Sequence, residues 1–119
     1  MRKLETQFGT LYIEEPKDNR ANKDRYVIED SEHRWFDYFS TETVKEGWDD
    51  YEDFYNDLQK HLNKFKKLQS LLDYFGINYE AASTDWKDLL DYMDGDTVED
   101  VLSNEWVNKI GNYYIFIAE

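Results

Sequence analysis

The sequence predicts an α+β domain in which a small, mainly antiparallel sheet packs with about three helices, one of them long. Three patterns indicate this class. Short β-type runs occur in the first third of the chain, a later segment repeats apolar residues every three or four positions, and an apolar, aromatic run comes last. The 119 residues match the usual size of one domain. We therefore expect a single acidic domain, residues 1–119, with no second core.

The β-type runs occupy residues 11–13 and 26–28, with the sequences Leu-Tyr-Ile and Tyr-Val-Ile. A charged loop that holds the only proline, Pro16, lies between them. We expect two antiparallel strands with a long connection. Residues 35–39, Trp-Phe-Asp-Tyr-Phe, fit a third strand or a helical turn, and we favour the strand.

The strongest periodic pattern predicts a helix over residues 51–75. Its apolar residues fall on one stripe of a helix: Tyr51, Phe54, Tyr55, Leu58, Leu62, Phe65, Leu68, Leu72 and Phe75. Asp49 or Asp50 supplies an N-terminal cap, because a side-chain oxygen there accepts from a free backbone N–H. Gly76 ends the helix, since glycine readily takes the left-handed conformation found at helix C-termini.

The C-terminal half is predicted to add a strand, two helices and a final strand. Residues 77–82 form the first strand and residues 113–118 the last. Ser83 or Thr84 caps the shorter helix. The apolar residues of that helix are Trp86, Leu89, Leu90 and Met93.

The second of these helices begins with a capping-box pattern, Asp96 followed three residues later by Glu99. Its apolar residues are Val98, Val101, Leu102, Trp106 and Ile110. Gly111 ends it, so we expect the helix to reach Ile110.

The chain is strongly acidic, with 27 Asp and Glu against 14 Lys and Arg and a formal net charge of -13. Acidic disordered chains are poor in aromatic residues, whereas 18% of this chain is aromatic, so we expect the charge on a folded body. Such a body favours a partner with a basic surface. DNA, RNA and anionic membranes would be repelled, so none of them is expected as a direct partner.

The acids concentrate in two stretches. Residues 37–57 hold eight acids and one lysine, and residues 73–105 hold ten acids and one lysine. The pattern does not select which stretch forms a binding face. The chain has no cysteine and no apolar run long enough to cross a bilayer, so we expect a cytoplasmic protein.

No residue pattern predicts catalysis, a metal or a cofactor. His33 and His61 lack the nucleophile or metal-binding motifs that usually surround functional histidines. Residues 91–100 are rich in acids but lack the alternating ligands and central glycine of an EF-hand loop. We therefore expect a protein that is not an enzyme and that holds no metal or cofactor.

Residues 47–57 interleave carboxylates with aromatic side chains. On a structural interpretation, the aromatic residues face the core and the acids form a solvated helix start that suits the helix dipole. On a functional interpretation, acids ~5–6 Å apart on a helix approach the charge density of DNA, one charge per ~3.4 Å of each strand. A rigid row of this kind fits the DNA groove of another protein.

Two segments of the chain resemble a known family. One is Tyr-Val-Ile-Glu-Asp-Ser-Glu at residues 26–32. The other is Gly-Trp at residues 47–48, an acidic stretch, and Phe-Tyr-Asn-Asp-Leu-Gln at residues 54–59. In order and composition they resemble the small acidic type II-A anti-CRISPR proteins of phages and prophages. Members of that family are α+β DNA mimics that bind a guide-loaded type II-A Cas nuclease and block its basic PAM-reading cleft.

The resemblance implies the same partner, a location in the host bacterial cytoplasm, and a set of contact residues. The implied partner-binding residues are Trp48, Asp49, Asp50, Glu52, Asp53 and Asp57. The four acids before Phe54 stand where the family presents its PAM-mimicking carboxylates. This chain differs in its shorter acidic insert between Trp48 and Phe54 and in a more basic loop ahead of Tyr26.

Two other functions stay open on the sequence, and the oligomeric state is not indicated. The first is a DNA mimic of the same physical kind that targets another host protein, such as a restriction enzyme. The second is an acidic protein-binding module of a mobile element. It would bind through exposed aromatic residues, such as Trp35, Trp48 or Trp106, and its complexes would be largely insensitive to salt.

Overall fold

Two antiparallel sheets frame the computed structural model, which describes residues 1–17 and 23–117. The four-stranded sheet contains, in spatial order, β1 (Arg2–Glu5), β2 (Thr10–Glu14), β3 (Arg25–Glu29) and β4 (Trp35–Ser40). The three-stranded sheet contains, in spatial order, β5 (Ala81–Ser83), β7 (Tyr113–Phe116) and β6 (Val107–Ile110). The predicted strands at residues 11–13, 26–28 and 35–39 are confirmed, as is the antiparallel pairing of the first two.

Five helices, rather than about three, accompany the sheets in the described part of the chain. They are α1 (Thr41–Gly47), α2 (Tyr51–Lys64), α3 (Leu68–Tyr74), a 3₁₀ helix (Trp86–Tyr92) and α4 (Val98–Ser103). The predicted α+β class is confirmed. Among these helices, none is long and apolar enough to span a bilayer.

The predicted long helix over residues 51–75 is interrupted between α2 and α3. Phe65 and Lys67 have extended backbones, with ψ angles of 117° and 136°. The apolar stripe conceals this break because its spacing of three and four residues continues through it in phase. Beyond the break, Leu71 and Leu72 are fully buried in the same core as α2.

The predicted helix that reaches Ile110 is wrong. α4 ends at Ser103, and the following apolar residues belong to β6. Ile110 pairs with Tyr113 across the β6–β7 hairpin, whose turn contains Gly111 at a φ of 57°. The apolar residues of this segment recur every three or four positions, which fits a helix. Local periodicity therefore does not reveal a strand whose partner lies further along the chain.

The helix caps in this half lie one or two residues from their predicted positions. Thr97 caps α4 and Asp100 completes its capping box, each one residue later than predicted. Asp85 caps the 3₁₀ helix in place of Ser83 or Thr84. β5 and β7 cover parts of the strands predicted at residues 77–82 and 113–118. Ala118 lies outside the described residues.

The sequence patterns predict neither β1 nor α1. β1 is an edge strand with a single buried residue, Leu4, among charged neighbours, so it carries no apolar alternation. α1 buries only Val44, and its start depends on Ser40, whose hydroxyl accepts from the backbone N–H of Thr43 at 3.1 Å. β1 pairs with β2 and contacts α2, and α1 contacts β4 and α2, so neither element is specified by its own segment alone.

The buried residues form two hydrophobic clusters, where a single core was expected. The larger cluster lies between the four-stranded sheet, the first three helices and one face of the three-stranded sheet. The smaller one consists of Leu89, Val101, Val107 and Phe116. β7 separates the two, because successive strand residues point to opposite faces: Ile115 belongs to the larger cluster and Phe116 to the smaller.

A buried carboxylate connects the two sheets. Asp30 is 0% exposed, and one of its oxygens accepts from the backbone N–H groups of Glu32 and Arg34 at 2.8 and 2.9 Å. The other oxygen accepts from Asn108 Nδ2 at 2.7 Å and from the backbone N–H of Lys109 at 3.1 Å, both in β6. Four hydrogen bonds thus offset the cost of burying this group.

Two glycines allow the β1–β2 and β6–β7 turns to meet backbone to backbone. A Cβ atom on Gly9 would lie 2.2 Å from the nitrogen of Gly111, closer than any real contact. We therefore expect Gly9→Ala to lower the free energy of unfolding by about 1–3 kcal/mol, because the two turns must separate. Urea denaturation monitored by tryptophan fluorescence measures this change.

Gly47→Ala is the matched control, since a Cβ atom added there would meet no atom of the surrounding structure within 4 Å and the residue ends a helix. We expect it to be neutral or to raise the free energy of unfolding by up to about 1 kcal/mol. Equal urea midpoints for wild type and Gly9→Ala would contradict the tight contact between the turns.

Candidate protein-binding surface

The start of α2 exposes carboxylates to solvent, and the buried side of the helix holds it in place. The inward side chains Phe54, Leu58 and Leu62 are at most 1% exposed. Asp50 caps the helix, and its Oδ1 accepts from the backbone N–H of Asp53 at 2.9 Å. The structure thus places the predicted acids Asp49, Asp50, Glu52 and Asp53 on the exposed side of this turn.

Trp48 and Asp57, by contrast, are engaged with the protein itself. The Trp48 indole is half-buried and packs edge-on against Phe54, with ring centroids 4.9 Å apart. Its Nε1 donates to Asp57 Oδ2 at 3.1 Å. Trp48 also donates its backbone N–H to Val44 at the end of α1. This pair therefore fixes α1 against α2, while the Asp57 side chain stays 39% exposed.

The negative charge of Glu52 is offset by an arginine from the neighbouring strand, β1. Arg2 in β1 pairs with the Glu52 carboxylate at 2.5 Å, and its guanidinium lies 3.6 Å from the ring centroid of Tyr55. Among the described residues, no ion pair reaches Asp49, Asp50 or Asp53. Three of the six predicted residues thus carry charge that is available to a partner.

α1 extends this charged area. Glu46 and Asp49 line a shallow cavity of about 260 Å³ together with Asp53, Gly47, Trp48 and Lys45. Lys45 is the one base among its lining residues. We call Glu46, Asp49, Asp50 and Asp53 the α1–α2 acidic surface. Its net charge stays negative because one lysine and the helix dipole, about half a unit charge, do not offset four carboxylates.

A second acidic row runs along the 3₁₀ helix, within the acidic stretch of residues 73–105. Asp85, Asp88 and Asp91 are exposed and repeat every three residues, and Asp94 continues the repeat. Asp88 and Asp91 lie within the helix, whose three residues per turn and rise of ~2 Å per residue place them ~6 Å apart on one face. Asp85 is the N-cap, and Asp94 follows the extended C-cap Met93. The three-residue repeat of acids is visible in the sequence, but it does not match the period of an α-helix.

In the described part of the chain, the histidines and acids form no group of three or more that could hold a metal ion. His33 stacks on Tyr12, with ring centroids 4.2 Å apart, and contacts Glu29 at 3.2 Å. His61 contacts the backbone carbonyl of Asp57 at 2.9 Å. Each is accounted for by packing against its neighbours.

No family model matches the chain, and neither does any curated protein or solved structure. The function implied by the resemblance of residues 26–32 and 47–59 to anti-CRISPR proteins therefore stays a prediction.

The cap of α2 leads to a prediction on stability. Asp50→Ala removes the side-chain acceptor, so we expect the free energy of unfolding to fall by about 1 kcal/mol, as measured by urea denaturation. Asp50→Asn keeps an acceptor oxygen and should stay close to wild type. Asp49→Ala serves as the neighbour control; if it destabilises as much as Asp50→Ala, the cap is not the cause.

Tyr51, in the first turn of α2, leads to a prediction on alkaline pH. Burial raises the pKa of Tyr51 to about 12, because loss of water disfavours the phenolate. The stability from this neutral phenol is fully present below the ordinary tyrosine pKa of ~10 and is lost as the pH rises towards 12. Tyr51→Phe should therefore lose less stability than wild type between these pH values.

Chemical denaturation at a series of pH values from neutral to strongly alkaline measures this difference. Parallel stability curves for wild type and Tyr51→Phe would show that Tyr51 does not titrate abnormally.

Proposed function

We propose that this protein is a DNA mimic that inhibits a guide-loaded type II-A Cas nuclease in the host bacterial cytoplasm. In this proposal it occupies the basic cleft that reads the PAM. The observation that carries the proposal is the α1–α2 acidic surface, with Asp49, Asp50 and Asp53 exposed and free of ion pairs among the described residues. The choice of nuclease is supported by the resemblance of residues 26–32 and 47–59.

The inhibition would be competitive and would require no chemical step. PAM recognition uses arginines that make bidentate hydrogen bonds to guanine inside a positive channel. Carboxylates satisfy the same guanidinium groups with charge-assisted hydrogen bonds. Because PAM binding precedes pairing of the guide with the target, an occupied cleft stops the seed duplex from forming.

Rigidity and the spacing of the acids both favour the α1–α2 acidic surface over the row on the 3₁₀ helix. Asp49, Asp50 and Asp53 fall within five consecutive residues at the start of α2, and all three are exposed. The other row has one acid every three residues. The buried anchors of α2 hold the denser set in place, so little order has to be imposed on binding.

Charge reversal at this surface tests the proposal. The double variant Asp49→Lys, Asp53→Lys keeps Asp50 as the helix cap and changes the net charge by four units. We expect at least a ~100-fold loss of inhibitory potency, because each close charge pair in such interfaces contributes more than ~1 kcal/mol and reversal adds repulsion. Plasmid cleavage by several guide-loaded type II-A nucleases measures it, with the protein added before or after the DNA at several salt concentrations.

The matched control is Asp91→Lys, Asp94→Lys, which makes the same change of net charge on the other acidic row. It should keep its potency within a few-fold, with only slower association. Equal losses of potency in the two variants would mean that inhibition depends on the total charge and not on this surface. Inhibition that persists when the protein is added after the nuclease has bound its target DNA would contradict competition for the PAM site. Protection against restriction enzymes alone would favour the antirestriction alternative, and salt-insensitive binding would favour the protein-binding module.

A further inference from the structure

Two exposed tryptophans meet at a cleft between the edges of the two sheets. Trp35 at the start of β4 is 49% exposed, and Trp106 just before β6 is 52% exposed. β4 and β6 are each the edge strand of their sheet. The cleft has a volume of about 230 Å³, and its lining residues are Trp35, Phe36, Glu105, Trp106, Asn108 and Ile117. We call it the Trp35–Trp106 cleft.

Hydrogen bonds hold the backbones of both tryptophans in place. Asn108 is buried, and its Nδ2 donates to the Trp35 carbonyl at 3.0 Å as well as to Asp30. Trp106 donates its backbone N–H to Asn104 Oδ1 at 2.8 Å, and its carbonyl accepts from Ile117 at 2.8 Å. The cleft is therefore formed before any partner arrives, which reduces the entropy lost on binding.

The chemistry of the walls favours a cation. Indole faces attract ammonium and guanidinium groups more strongly than the other aromatic rings do. Glu105 adds a carboxylate, is exposed, and has no ion pair among the described residues. Arg34 lines an adjoining cavity, but its guanidinium donates to the carbonyls of Asn104, Val107 and Leu102. Glu105 is therefore left to an incoming cation.

The neighbouring surface already accepts a guanidinium from within the protein. The Arg25 guanidinium lies 4.7 Å from the ring centroid of Tyr38 and 5.7 Å from that of Trp35. A net charge of -13 attracts basic partners and repels nucleic acids, whose bases otherwise stack on exposed tryptophans. The adjoining cavity of about 400 Å³ shares Trp35, Glu105 and Asn108 with the cleft, so the two together leave room for an extended side chain.

We propose that the Trp35–Trp106 cleft binds an arginine side chain of a partner protein, with the guanidinium stacked on indole and paired with Glu105. Arginine is preferred to lysine because its planar group both stacks on aromatic rings and forms bidentate hydrogen bonds with a carboxylate. This site lies outside the α1–α2 acidic surface and does not depend on the proposed function.

Titration of the ¹⁵N-labelled protein with acetyl-Gly-Arg-Gly-amide tests the proposal by NMR. The four tryptophans give four indole N–H signals, which single Trp→Phe variants assign. We expect the signals of Trp35 and Trp106 to shift and saturate, while those of Trp48 and Trp86 stay in place. The citrulline peptide, which keeps the shape but lacks the charge, should produce no shift, and the lysine peptide a smaller one.

Variants separate the cleft from general attraction to an acidic protein. Glu105→Gln and Trp106→Ala should each weaken binding by roughly threefold or more. Glu99→Gln and Tyr92→Ala, which alter another exposed acid and another exposed aromatic residue, should not change it. Asp49→Lys, Asp53→Lys should keep the site, even where it abolishes nuclease inhibition.

Three results would overturn the proposal. The first is an equal shift of all four indole signals, or none. The second is equal binding of the citrulline peptide, and the third is unchanged affinity in Glu105→Gln. A folded spectrum of each variant excludes misfolding as the reason for lost binding.

Discussion

The buried carboxylate of Asp30 is the interaction on which the arrangement of the two sheets depends. A charged group without water is expensive unless every lone pair is used, and its four hydrogen bonds, two within its own turn and two from β6, meet that need. The same network orients Asn108 toward Trp35 and sets the turn from which Arg34 reaches the end of α4. Arg34 also donates to the carbonyl of Val107, a member of the smaller hydrophobic cluster, and Trp35 and Asn108 line the Trp35–Trp106 cleft, so both features lie next to this network.

A balance between burial and repulsion shapes the rest of the surface. A formal charge of -13 on a small body disfavours compactness. The apolar inner face of α2 and the aromatic contacts of Phe54 with Tyr26, Phe39 and Trp48 oppose that repulsion. The acids at the helix start also complement its dipole, so they stabilise the element that presents them.

The acids of residues 47–57 divide into those that serve the fold and those that stay available. Glu52 is held by Arg2 and Asp57 by the Trp48 indole, so their charges are partly used within the protein. Asp49 and Asp53 have no ion pair among the described residues, so their charges stay available. The structural and functional interpretations of this segment are therefore compatible, because they apply to different residues.

The sequence by itself determined the elements whose signals are local: the strands β2 and β3 from their β-branched and aromatic runs, and the start of α2 from its cap. It left residues 35–39 open between a strand, which we favoured, and a helical turn. It also determined that the acids around residue 50 are exposed, since charge is expensive to bury. Only the tertiary structure decided the break between α2 and α3 and the replacement of a predicted helix by β6. It alone brought Trp35 beside Trp106. These features depend on contacts between residues far apart in the chain, and no periodicity within one segment records them.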